Sequence, residues 1–166
     1  GLDDGGLRHK EETVARACEA HSEPLRSAGP LCGASRAREA LRRVGGLELA
    51  AMTGAFLEAE ERGVAAVVDG FISGVAALCA VRMRPSCRSH LLFATALQEE
   101  PSAVRGGEVL AEALGATPAL GMGLRLGEGS GAALALPMVR AAASIVAEMG
   151  TLQQALALGG GGEGDV

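Results

Sequence analysis

Aromatic side chains are nearly missing from this chain: Phe56, Phe71 and Phe93 stand alone, with no Trp or Tyr among 166 residues. That removes the stacking platforms on which single-stranded nucleic acids are held. A net charge of −5 removes the positive potential that a nucleic-acid groove needs, so no nucleic-acid partner is expected. Uncharged apolar runs of the roughly 18–20 residues needed to span a membrane are also lacking. The longest, Gly70–Val81 and Gly129–Val139, are interrupted by small or polar residues, and no membrane partner is expected. The start shows no basic-then-apolar signal pattern. It opens at GLDDGG without Met, which reads as a piece of a longer protein.

Missing motifs narrow the chemistry. There is no GxxxxGK[ST] phosphate loop and no GxSxG nucleophile elbow. Four cysteines (Cys18, Cys32, Cys79, Cys87) show no paired spacing. Two sit three residues before a histidine, as Cys18-x-x-His21 and Cys87-x-x-His90. A Cys2His2 zinc site is conceivable from these, but the plainer reading is unlinked thiols of a reduced protein. No metal site is expected from them, and the expected setting is cytoplasmic or within an organelle.

What is present is small and apolar. With 48% hydrophobic residues but few aromatics, the core must be built of Ala, Val, Leu and Gly, material for closely packed helices and a buried parallel sheet. The length fits one domain, taken as residues 1–158, with a flexible Gly-rich tail at 159–166.

Helices are expected from Leu7 to about His21, with Asp3 and Asp4 capping and Leu7, Val14, Ala17 and Cys18 facing inward. After a Pro/Gly loop at 22–33, a second helix should run over 36–44, capped by Ser35. A third begins at Leu47, with Leu47, Ala51, Ala55 and Phe56 on its buried stripe. VAAVV (64–68) reads as a buried strand, followed at once by Asp69-Gly70 and a helix over 71–82. His90–Ala94 is a second strand, 95–107 a loop, and 108–114 a short helix. Residues 118–126 are ambiguous between strand and loop. The final helix starts at Gly129 or Ser130 and runs to Met149, with Leu134, Met138, Ile145 and Met149 on its inner stripe and Pro137 either kinking it or marking its true start. Helices alternating with short buried strands predict an α/β fold, three-layered, with a small parallel sheet flanked by helices. So thin a sheet predicts an incomplete copy of a larger fold.

Two places can carry chemistry. Asp69-Gly70 lies beyond the carboxyl end of a parallel strand, where open sheets bind ligands, though Asp69 would equally cap the next helix. Glu128 sits between glycines at a helix start, where it is either a dipole-stabilised acid or a general base once the surrounding protein dries it. A dinucleotide reading of Gly127-x-Gly129-x-x-Ala132 with Glu148 fails on charge. Glu128 inside the loop would repel a pyrophosphate.

Four blocks in unbroken order carry a resemblance: GLDDGGLRHK, ALRRVGGLELAAMTGAFLEA, VAAVVDGFISGVAAL and GLRLGEGSGAALALPMVRAAASIVAEMGT. Together they resemble the nicotinate-nucleotide:5,6-dimethylbenzimidazole phosphoribosyltransferases of cobalamin biosynthesis, over the C-terminal half of such enzymes. The resemblance implies transfer of the phosphoribosyl group of nicotinate mononucleotide to 5,6-dimethylbenzimidazole, giving α-ribazole 5′-phosphate and nicotinate. It implies Glu128 as the catalytic base. Lys10, Asp69, Gly70, Phe71, Gly127, Gly129 and Ser130 would then bind substrate or shape the base's surroundings, with no cofactor and with a homodimer as the family's habit. Where the family has a His and a Ser before a Glu, this chain reads ATALQEE, so no ligand contact is carried over from that loop. A non-catalytic remnant that keeps a mononucleotide-side fold is the competing expectation.

Overall fold

Two three-residue strands, β1 (Ala66–Val68) and β2 (Leu91–Phe93), pair in parallel with Ala66 opposite Leu91 and Val68 opposite Phe93. The computed structural model describes residues 3–26, 33–97, 104–124 and 126–159. Parallel strands need a crossover. Here it is helix α4 (Phe71–Met83) followed by a 3-10 turn, Pro85–His90. A third extended segment lies along the far side of β2. Ala119 N–H donates to Phe93 O and Leu120 N–H to Ala94 O, both at 2.8 Å, with an isolated parallel bridge between Phe93 and Pro118. Residues 118–120 therefore settle the strand-or-loop ambiguity as a strand-like edge.

The remaining helices are α1 (Asp4–Arg26), α2 (Gly33–Val44), α3 (Leu47–Glu61), α5 (Val104–Leu114), α6 (Ser130–Glu148) and α7 (Leu152–Gly159). The core gathers Phe56 of α3, Val68 of β1, Ala76, Ala77 and Ala80 of α4, Cys87, Leu91, Phe93, Leu97, Leu110 and Leu114. Alanines along the buried face of α4 let α3 come close. Thr53, 2% exposed, holds its Oγ1 2.7 Å from Leu49 O and 3.2 Å from Ala76 O, so its hydroxyl is satisfied across that interface. Arg88 stacks over Phe93, 5.0 Å from the ring centroid, and donates to the carbonyls of Leu114 and Gly115, tying down the end of α5. Arg84 pairs with Glu60 at 2.6 Å and fastens the end of α3 to the end of α4. The α/β character and the small parallel sheet flanked by helices agree with the pattern reading.

Several local expectations are corrected. α1 does not stop near His21 but runs through Pro24 to Arg26, since one proline near a helix end forfeits a single hydrogen bond. Most of its expected inner stripe lies open: Leu7 is 49% and Val14 54% exposed and Cys18 is exposed, while Ala17 is half-buried. Asp3 does cap, accepting Gly6 N–H at 2.7 Å, whereas Asp4 is the helix's first residue. α2 begins at Gly33, so Ser35 lies inside its first turn. On α3 the buried stripe runs through Leu49, Met52, Thr53, Phe56 and Leu57, while Leu47, Ala51 and Ala55 are exposed. Apolar residues surround that helix, so periodicity alone could not choose its inner face. Val64 and Ala65 precede the strand rather than belong to it. α5 starts at Val104, inside the expected loop, while the neighbouring 98–103 lie outside the described residues.

The largest correction concerns α6. Of its expected inner stripe, Leu134 is 49%, Met138 50%, Ile145 54% and Met149 71% exposed, and the buried positions are instead Gly131 and Ala135. Pro137 lies inside the helix without ending it. Because α6 continues past Arg140, its 19 residues are long and apolar enough to cross a membrane by length and composition, with a mean hydropathy of 1.5 over the most apolar stretch. An apolar run counted only as far as the first charge misses this. A core helix of a larger fold passes the same test. Gly159, expected as the first residue of the tail, instead ends α7. Residues 160–166 lie outside the described residues.

The cysteines are scattered: Cys18 is exposed on α1, Cys79 is half-buried on α4, and Cys87 is buried in the apolar core. Cys32 lies outside the described residues. Among the described residues no group of three or more His, Cys, Asp or Glu side chains could hold a metal ion. Burial pushes the Cys87 thiol above its ordinary range, and only the thiolate reacts. Alkylation of the folded protein is therefore expected to label Cys87 at least about tenfold more slowly than Cys18. Peptide mapping by mass spectrometry over time checks this, and equal rates would show that the core around Cys87 opens readily.

Candidate active site

β1 ends at Val68, and the chain turns through Asp69 and Gly70 into α4. Ser73 holds that turn: its Oγ accepts the N–H groups of Asp69 at 3.2 Å and Gly70 at 3.1 Å. Beside it, β2 continues through Ala94 to Thr95, with Ala94 N–H donating to Val68 O at 2.8 Å. The Thr95 hydroxyl donates to the carbonyl of Asp69. Asp69 does not cap α4, the helix that follows it. Its Oδ1 instead accepts Ala132 N–H at 2.9 Å, sixty-three residues along, in the first turn of α6.

The start of α6 is unusual. Gly127, Glu128 and Gly129 all have positive φ, at 71°, 54° and 80°, and Ser130 N–H closes the turn onto Gly127 O at 3.0 Å. Glycine adopts such angles freely, but a glutamate there is strained by roughly 1–2 kcal/mol. Among the described residues, Glu128 is the only non-glycine with positive φ. Gly129, the N-cap, has no side chain to cap with, which leaves that task to Asp69.

A small cleft of about 30 Å³ opens between these segments at the carboxyl end of the sheet, lined by Asp69, Gly70, Phe71, Gly127, Ser130 and Gly131. Thr95, Ala96, Leu97 and Leu124 also line it. As it stands it has room for about one water molecule. Glu128 and Gly129 do not line it; they lie in the chain between Gly127 and Ser130, which do, and both are exposed. Five of the eight residues singled out from the sequence thus border one cleft, and two more adjoin it in the chain. Lys10 does not join them. It is exposed on α1, beside Leu7, Glu11, Val14 and Ala15. Sequence reasoning missed Thr95 and Leu97, which lie in the ATALQEE stretch from which nothing was carried over. It also missed Gly131, whose role depends on what packs above it. Only the Ser73 spacing after Asp69-Gly70 was readable as a turn closure.

A cleft beyond the carboxyl ends of parallel strands, at a glycine-rich helix start, lies where open α/β folds bind their ligands. Similarity to known proteins gives the particular family. A phosphoribosyltransferase family profile matches residues 1–156, and the chain belongs to that family. Nicotinate-nucleotide–dimethylbenzimidazole phosphoribosyltransferase of Pseudomonas aeruginosa (strain UCBPP-PA14) is 48% identical over 157 residues, 93% of this chain and 40% of the relative. The protein of the same name from Pseudomonas putida (strain W619) is 48% identical over 155 residues, with the same coverage of each chain. Among solved structures, CobT of Thermus thermophilus superposes with a TM-score of 0.70 at 39% identity, covering 93% of this chain and 42% of that one. The chain thus spans about 40% of the length of the curated relatives it matches.

Proposed function

We propose that this chain carries the base-bearing part of an enzyme that transfers the phosphoribosyl group of nicotinate mononucleotide to 5,6-dimethylbenzimidazole. The names of its relatives support that substrate pair. The observation that carries the reading is Glu128, held with positive φ between two glycines, in the chain between Gly127 and Ser130, which border a cleft with Asp69, Gly70 and Phe71. A strained backbone at a non-glycine residue is a mark of a site whose surroundings over-determine it.

In this reading one benzimidazole nitrogen attacks the anomeric carbon with its lone pair. The glycosidic bond to nicotinate breaks, and its electron pair leaves with the pyridine nitrogen. The azole then sheds its N–H proton to the Glu128 carboxylate, so the new glycosidic bond is left on a neutral ring. At the start of α6 the N–H groups of Ser130 and Ala132 are taken by Gly127 O and Asp69, so the positive end of the helix dipole is what suits an anionic group of the mononucleotide. Ser130, Gly129 and Gly127 shape that approach, and Gly70 and Phe71 wall the opposite side. Lys10 would serve the phosphate as a charge brought from α1.

A second reading has its own observation. The cleft of about 30 Å³, the exposed Glu128 and a Lys10 on another element suit a mononucleotide-binding remnant without turnover. One assay separates the two. The chain is incubated with nicotinate mononucleotide and dimethylbenzimidazole, α-ribazole phosphate is followed by chromatography, and mononucleotide binding is measured by calorimetry. Product formation supports transfer. Binding without product favours the remnant, and the absence of both would overturn the site reading for this chain.

A further inference from the structure

Among the described residues Asp69 is the one carboxylate on the cleft wall, and its sequence position suggests a substrate contact. Its surroundings point elsewhere. Three of its polar groups are engaged: N–H to Ser73 Oγ, carbonyl to the Thr95 hydroxyl, and Oδ1 to Ala132 N–H. Against it lies Gly131, distant in the chain yet pressed so close that a Cβ there would run into Asp69 Oδ1 and the Thr95 methyl. α6 has no cap of its own, because Gly129 lacks a side chain. An acceptor on the third residue's N–H is what an N-cap side chain normally supplies.

We propose that Asp69 is a positioning residue. Its carboxylate serves as the N-cap of α6 from across the fold, fixes Ser130–Ala132, and so holds the strained Gly127-Glu128-Gly129 turn that aims the base. The functional half of this rests on Glu128 being that base; the positioning half does not. Substrate is then contacted by backbone and by Glu128 rather than by the Asp69 charge.

The test swaps charge against geometry in the ligand-free protein. Asp69→Asn keeps an acceptor at the same reach and removes the charge. Asp69→Glu keeps the charge and displaces the acceptor by one methylene. Amide exchange at Ala132 and the backbone coupling constant of Glu128 are followed by NMR, with Ala76, Ala77 and Ala80 of α4 as the folding control. Asp69→Asn should leave Ala132 exchange within about twofold of wild type, whereas Asp69→Glu should speed it roughly five- to tenfold and move Glu128 out of the positive-φ range. The proposal is overturned if Asp69→Glu matches wild type at residues 127–132. Should Asp69→Glu unfold, Asp69→Asn still decides: lost mononucleotide binding with unchanged Ala132 exchange would make Asp69 a ligand contact, and retained binding supports the cap. A wild type that makes no product removes the base reading of Glu128 but leaves these ligand-free results standing.

Discussion

Replacing Glu128 by glutamine is expected to slow the proposed phosphoribosyl transfer by about 10²- to 10⁴-fold, the range for losing a general base, with no change in melting temperature. Glu128 is exposed and makes no hydrogen bond or ion pair among the described residues, so the neutral amide costs the fold nothing. Glutamate to glycine separates function from stability more sharply. At a φ of 54° a side chain costs roughly 1–2 kcal/mol, and glycine's extra freedom in the unfolded chain takes back about 0.4–1 kcal/mol. The strain term is the larger, so Glu128→Gly should raise stability by about 0.5–1 kcal/mol while losing as much activity as Glu128→Gln. Urea unfolding and product formation, measured on the same preparations, check both. A glutamate that serves only as a helix-start acid would show the stability gain with no catalytic loss.

The α/β class was legible because the two strand runs are short, uncharged and apolar, and because glycines and prolines punctuate the helices. The sheet end was legible from Asp69-Gly70 following such a run. Inner faces were not. On α3 and α6 alanine and leucine occur all round the helix, so a stripe such as Leu134, Met138, Ile145 and Met149 has the right spacing yet lies open. Which apolar stripe is buried depends on what packs against it, and the relatives carry more than half of their length outside the matched part. The bond that Asp69 makes was hidden for a related reason. Its partner is an N–H sixty-three residues away, and no local spacing rule connects them. The pull between cap and ligand contact at Asp69 was real, but the helix it caps is α6 rather than α4. Gly131 was invisible for the same cause, since its lack of a side chain matters only once Asp69 and Thr95 sit above it.

Gly131 provides the sharpest test of that arrangement, because two effects act there with opposite signs. It is the second residue of α6, and alanine is better than glycine inside a helix by roughly 0.5–1 kcal/mol. Gly131→Ala would be a stabilising change if helix propensity decided. Packing argues the other way: the new methyl group would occupy the space of Asp69 Oδ1 and the Thr95 methyl. Neither neighbour is a free, flexible end, as Asp69 is bonded at Ser73, Thr95 and Ala132. Overpacking of this kind costs about 1–3 kcal/mol, and pushing Asp69 away forfeits a cap worth about 1 kcal/mol more. The packing terms win, and Gly131→Ala should destabilise by about 1–3 kcal/mol net. Gly54, inside α3 with open space where a Cβ would go, is the matched control, and Gly54→Ala should stabilise by roughly 0.5–1 kcal/mol. Chemical denaturation of both variants settles the sign. If Gly131→Ala behaves like Gly54→Ala, the close approach of Asp69 to α6 is wrong. If it destabilises, the double variant with Asp69→Ala should lose less than the two single changes added together, because removing the carboxylate makes room for the methyl.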